Sequence, residues 1–222
     1  MDKTRNATMP PRPSKPALAV RVDELREILR QVPFNLLIER TGTSYQAIGP
    51  GRGEFRLSLF DSPILVTYPS MVGFDASKDE ELPLPFQAVL AYYFHTSDGT
   101  ALTGQWVSFA ELPDGRTYNQ AFQGYSGDEL VKAFGLDVEA FKSACEKGGG
   151  VAAPISNAAY IFYALPRLPM LVNYWCGDED FPSSCKILFD RSVSHYMPTD
   201  VCAILGSMLT RRIIKNAPQA VK

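Results

Sequence analysis

The chain has 222 residues, a mass of 24.5 kDa and a formal net charge of −2 at pH 7. Hydrophobic residues make up 45% and charged residues 21%, a globular balance that excludes a collagen, a disulfide scaffold and a mostly disordered chain. The longest apolar run, residues 158–165, is too short for a membrane span, and the near-neutral charge argues against a nucleic-acid partner.

The elements follow in chain order. Residues 1–21 carry Lys3, Arg5, Arg12 and Lys15 against Asp2 and are rich in proline, so a disordered basic tail is expected there, with no apolar signal stretch. Order is expected from about Val22. Leu25, Ile28, Leu29 and Val32 recur at helical spacing behind Asp23, an N-cap residue type. Pro33 interrupts this helix, which resumes over 34–40 and ends at Gly42. Strands are predicted over 45–48 and 54–59, the second with Phe55, Leu57 and Leu59 facing a core. Their link, Gly49 to Gly53, is a hairpin connection and not a phosphate loop. No Lys-Ser/Thr follows it, and a strand stands where a helix is needed. Asp61, Ser62 and Pro63 form a second turn into a strand over 64–68. An acidic solvated loop is expected over 75–81.

Phe86, Val89, Leu90, Tyr93 and Phe94 then recur at helical spacing and predict the central core helix. His95 falls at its C-terminal end, where a protonated imidazole favours the helix dipole. Residues 103–125 are rich in aromatics and turns. Short helices are predicted over 128–134 and 138–147, then a break at Gly148, Gly149 and Gly150. Strands over 160–165 and 169–175 form a hairpin, and a third strand covers 186–189. A last helix is expected from Thr199, read as its N-cap, with a frayed end over 216–222. The fold class is α+β, a single domain over 22–215. Its sheet is expected to be largely antiparallel and continuous through both strand groups, with helices packed mainly on one face.

The four cysteines, Cys145, Cys176, Cys185 and Cys202, contain no C-x-x-C and are expected to be free thiols in a reducing cytoplasm. Asp178, Glu179 and Asp180 follow a hydrophobic strand directly, with His195 a short way beyond. Carboxylates with an imidazole can ligate a divalent metal or do acid–base work. Strand alternation would put Asp178 and Asp180 on one side and Glu179 on the other. The plain alternative is a charged turn whose acids pair with Lys186 or Arg191. Cys176 and His195 would form a nucleophile and base only if the fold brought them together.

The run Leu102-Thr103-Gly104-Gln105-Trp106-Val107-Ser108-Phe109-Ala110-Glu111-Leu112-Pro113-Asp114-Gly115 resembles a stretch of the domain-of-unknown-function family 3786. So do Trp175-Cys176-Gly177-Asp178-Glu179-Asp180-Phe181-Pro182, Ile187-Leu188-Phe189-Asp190 and His195-Tyr196-Met197-Pro198-Thr199. The resemblance covers about residues 22–215. It implies a prokaryotic, largely anaerobic setting and work near redox or tetrapyrrole chemistry, with no catalytic residue to carry over. This chain lacks the cysteine-rich iron–sulfur segment fused to some members.

Three functions follow as expectations. The first is an accessory protein binding a cofactor or small ligand, with a tetrapyrrole or a divalent metal in a pocket between the Trp106 loop and the Asp178 turn. Trp106, Phe109, Trp175, Asp178, Glu179, Asp180, His195 and Tyr196 would line it, with Asp178, Asp180 and His195 as metal ligands. The second is a small metal-dependent or acid–base enzyme using the same groups. The third is an interaction module whose acidic turn docks a basic partner. The expected partners are a small molecule or a redox or cofactor protein, in the cytoplasm.

Overall fold

A computed structural model describes residues 15–218 of the chain. Most of the expected N-terminal tail and the last residues of the expected frayed end lie outside them. Helix α1 (Lys15–Leu29) begins ahead of the expected Val22, and Asp23 falls inside it rather than capping it. Pro16 sits in its first turn, where no intrahelical N–H is needed. Helix α2 (Phe34–Thr41) follows Pro33 and closes on Gly42, whose φ of 68° is left-handed.

Next come β1 (Ser44–Gly49), β2 (Arg52–Leu59), β3 (Ser62–Tyr68), β4 (Gly73–Asp75) and β5 (Glu80–Glu81), a meander in the order β1-β2-β3-β4-β5. The last two strands occupy part of the expected acidic loop. The β2–β3 turn is made by Phe60 and Asp61, both at positive φ, the paired left-handed geometry that matches strand twist. Helix α3 (Leu84–Thr96) crosses this sheet. Its inner face, Val89, Leu90, Tyr93 and Phe94, meets Phe55, Leu57, Ile64 and Val66. Its outer face, Ala88 and Ala91, packs on Val22 and Leu25 of α1. Covered on both sides, it needs no polar face. His95 stands at the end of α3 as expected, but desolvation and Arg21 lower its pKa, against the helix dipole.

The second half contains β6 (Trp106–Ser108), a 3-10 turn (Phe109–Glu111), α4 (Gly115–Gly124), α5 (Gly127–Phe134) and α6 (Val138–Lys147). Then follow β7 (Val151–Ala152), β8 (Ala159–Leu165), β9 (Leu168–Trp175), β10 (Ser184–Asp190), a second 3-10 turn (Arg191–His195) and α7 (Thr199–Lys215). Pro198, not Thr199, caps α7; Thr199 Oγ1 instead donates to Pro113 O at 2.7 Å. The strand order is β6-β10-β9-β8-β7, antiparallel throughout.

The fold is α+β, with two five-stranded antiparallel sheets in place of the one continuous sheet expected. The sheets touch where Phe60 N donates to Ala164 O at 3.2 Å. One contiguous core runs through both. On the second sheet Tyr160, Phe162, Met170, Val172, Ile187 and Phe189 face the helices, while the other face keeps only a small cluster of Ala153, Ala159 and Leu171.

Candidate functional site

The residue that organises the site is Asp190, the last of β10 and only 2% exposed. Its Oδ1 accepts from Thr103 N at 3.1 Å, Thr103 Oγ1 at 3.0 Å, Ser192 N at 2.9 Å and Ser192 Oγ at 2.7 Å. Its Oδ2 accepts from Gly104 N at 2.7 Å. Burial opposes the charged form, but the bonds from Ser192 and Thr103 outweigh it and hold the carboxyl below its ordinary range. Asp190 therefore ties the loop after α3 to the turn after β10.

That tie brings His195 against the loop. His195 Nδ1 lies 2.7 Å from Asp98 Oδ2, with Thr100 Oγ1 3.2 Å from the same nitrogen. Asp98 Oδ1 accepts Thr100 N at 2.9 Å. Hydrogen bonds from His195 and Thr100 hold the Asp98 carboxyl down to about 2. An ionised Asp98 accepts the Nδ1 proton and leaves the lone pair of the neutral ring on Nε2. Nε2 has no hydrogen-bond partner among the described residues. Both side chains are about half exposed, at 48% and 50%, so the pair presents an oriented nitrogen at an open surface. The loop is braced further by Tyr196, whose hydroxyl donates to Thr100 O, and by Arg167, which donates to Gly99 O at 3.1 Å.

The acidic turn lies at the other end of the same strand. Ser184, at the start of β10, pairs with Trp175, and Asp190, at its end, pairs with Trp106. At ~3.4 Å per residue the strand holds these ends about 20 Å apart. Strand β9 stops at Trp175, so alternation does not continue into the acids. Asp178 Oδ1 instead accepts from Asp180 N at 2.9 Å and Phe181 N at 2.8 Å, closing a turn. Arg191 does not neutralise the acids; it donates to Gln105 Oε1 at 3.0 Å. Beside this turn a cleft of about 510 Å³ is lined by Lys142, Asn157, Trp175 and Cys176 among others. Cys176 is exposed and free, and its thiol points to Leu136 O. It stands at the acidic end of the sheet, away from His195. Cys145, Cys185 and Cys202 are buried, which pushes their thiols up.

A family model described as a domain of unknown function (DUF3786) matches residues 34–212. The chain belongs to the DUF3786 family. It matches none of the curated proteins and none of the solved structures compared with it. The DUF3786 match contains every group around Asp190, from Asp98 to His195.

Of the stretches by which the chain resembles DUF3786 proteins, residues 102–115, 187–190 and 195–199 are brought together through Asp190, while residues 175–182 lie at the other end of β10. Of the residues expected to line one pocket, the structure divides the set. Trp175, Asp178, Glu179 and Asp180 lie at one end of β10, and Trp106 and His195 at the other. Trp106 packs partly buried against the minor cluster on the helix-free face. Phe109 is a core residue at 1% exposure, stacked on Phe122 with ring centroids 4.3 Å apart. Tyr196 is fully buried. These two therefore support the site from beneath and offer no ring face to a ligand. Among the described residues, no group of three or more His, Cys, Asp or Glu side chains stands ready to hold a metal ion. So Asp178, Asp180 and His195 do not form a ligand set. Asp98, Thr100 and the anchoring role of Asp190 escaped the sequence reading. Asp98 is 97 positions from His195, and no local pattern marks the pairing.

Among the described residues, no helix is long and apolar enough to cross a membrane.

Proposed function

We propose that the protein is a cofactor-binding accessory protein that offers His195 Nε2 as one ligand to a metal held in a tetrapyrrole-class ring. The observation that carries this reading is the 2.7 Å bond from His195 Nδ1 to Asp98 Oδ2. A carboxylate on the far nitrogen fixes the tautomer and ring orientation of a metal-ligating histidine and raises its basicity. A single oriented imidazole is a poor site for a bare divalent ion, which needs several protein ligands. It would suit a metal whose macrocycle already supplies four nitrogens, to which His195 Nε2 would add one further ligand. The open surface fits a flat ligand or one presented by a partner protein. The ring class comes from the family resemblance. The four free cysteines fit a cytoplasmic location.

The test is a visible-absorption titration of the full chain with haemin and with aquocobalamin. Imidazole coordination should shift the bands of at least one of them. His195→Ala should abolish that shift, and Asp98→Asn should weaken it roughly 10–100-fold. An unchanged titration in His195→Ala would sink the reading.

A second reading uses the same hydrogen bond. A histidine oriented by a carboxylate is also the general-base half of an acid–base site. Cofactor-independent turnover that is lost in His195→Ala would favour an enzyme instead.

A further inference from the structure

A cleft of about 480 Å³ opens on the first sheet between the β1–β2 hairpin and the β3–β4 turn. It shares no residue with the His195 site. Arg52 enters it from the hairpin, and Arg30 from the chain just beyond α1. None of the residues lining it is acidic. The Arg52 side chain has no ion-pair or hydrogen-bond partner among the described residues. Arg30 Nη1 reaches Glu27 Oε1 at 2.5 Å, a pair that is exposed on both sides. A guanidinium has five N–H donors, so one such contact leaves most of them available.

The opposite wall is built in advance. Thr67 N donates to Val72 O at 2.9 Å and Met71 N to Thr67 O at 2.7 Å. Met71 takes a φ of +54°, left-handed and uncommon for a residue with a side chain. Its side chain is held in the core at 4% exposure, and its carbonyl accepts Arg26 Nε at 3.1 Å. The turn is thus set by packing before any ligand arrives, which lowers the ordering cost of binding. On it, Ser70 Oγ stands 2.6 Å from Thr67 Oγ1. Thr67 Oγ1 donates its own proton to Val72 O at 3.2 Å, so Ser70 Oγ donates in that bond and is fixed in place by it. Tyr68 and Ile48 add apolar surface to the same cleft.

We propose that this cleft binds a small phosphate monoester, with Arg52 and Arg30 holding the phosphoryl group and Tyr68 and Ile48 packing its apolar body. Two guanidinium groups match the two charges of a phosphate dianion, and their planar donors suit its oxygens.

Phenyl phosphate is the probe, titrated into isotope-labelled full chain and followed by amide chemical shifts. Saturable shifts at Arg52, Gly53 and Ser70 are expected, weakening as salt rises. Arg52→Ala and Arg30→Ala should each weaken binding about tenfold or more, the loss typical of a hydrogen bond to a charged group. Both side chains are exposed, so both variants should fold, and unchanged spectra away from the cleft will show it. Three results would overturn the proposal. The shifts fail to saturate at about 10 mM ligand. Arg52→Ala binds as tightly as the parent. Phenol or benzoate matches phenyl phosphate, which removes the phosphoryl group as the recognised feature.

Discussion

Asp98 and His195 are 97 positions apart in the chain, yet their side chains meet at 2.7 Å. The Asp98 carboxyl is depressed to about 2 by the bond from His195 and by those from Thr100. Its folded value is below its ordinary value near 3.8. The stabilisation is therefore present above the ordinary value and is lost as pH falls through about 2. A carbon-detected NMR titration should place the Asp98 midpoint near 2 and show it rising in His195→Ala. A midpoint near the ordinary value in the parent protein would mean the pair does not form.

Asp190→Asn tests the anchor. The amide can keep an oxygen where Oδ1 accepts four bonds, but its NH2 then confronts Gly104 N, a donor against a donor. A loss of about 1–3 kcal/mol is expected in urea unfolding, with faster hydrogen exchange at the Gly104 amide. Asp190→Ala, which strands every donor, should cost more. Equal stability of all three proteins would remove Asp190 as the organiser of the site.

Phe94 is 1% exposed and meets Phe55 at 4.9 Å between ring centroids. Phe94→Ala should cost about 3–5 kcal/mol through lost burial and a cavity. A loss under roughly 1 kcal/mol would mean that α3 does not join the core as described.

A Cβ on Gly206 would stand 2.4 Å from Phe122 Cε2. Phe122 is itself locked against Phe109, so it has little room to yield. Gly206→Ala should therefore destabilise by about 1–3 kcal/mol. Combining it with Phe122→Leu should cost less than the sum of the two single changes. Simple additivity in thermal unfolding would show that α7 and α4 do not press together there.

Truncation to Val22 tests the start of α1, where the sequence led to the expectation of a disordered tail. Leu18 packs with Val22, Leu25, Ala88 and Ala91, and the Arg21 guanidinium lies 5.8 Å from the centre of the Tyr92 ring. Removing both should lower the thermal midpoint by several degrees, since each kcal/mol is worth about 2–4 °C at this size. An unchanged midpoint would show that the first turns of α1 contribute nothing.

The sequence by itself determined the α+β class, the two hairpin groups, the inward face of β2 and the core face of α3. These are local matters: alternation along 54–59 and helical spacing from Phe86 to Phe94 report which side is buried, whatever the distant partner. It also carried the resemblance that the DUF3786 match bears out. Only the tertiary structure decided that the strand groups form two sheets, touching at the bond from Phe60 N to Ala164 O, because whether distant strand edges pair leaves no mark in either segment. The site divided for the same reason. Asp178 and His195 are near in sequence, but an intervening extended strand converts that nearness into about 20 Å of separation. Asp98 and His195 are far in sequence, and the buried carboxylate of Asp190 draws their two segments together. A strand spaces its ends, and a buried charge gathers its donors from wherever the chain brings them; neither effect can be read from residue order alone.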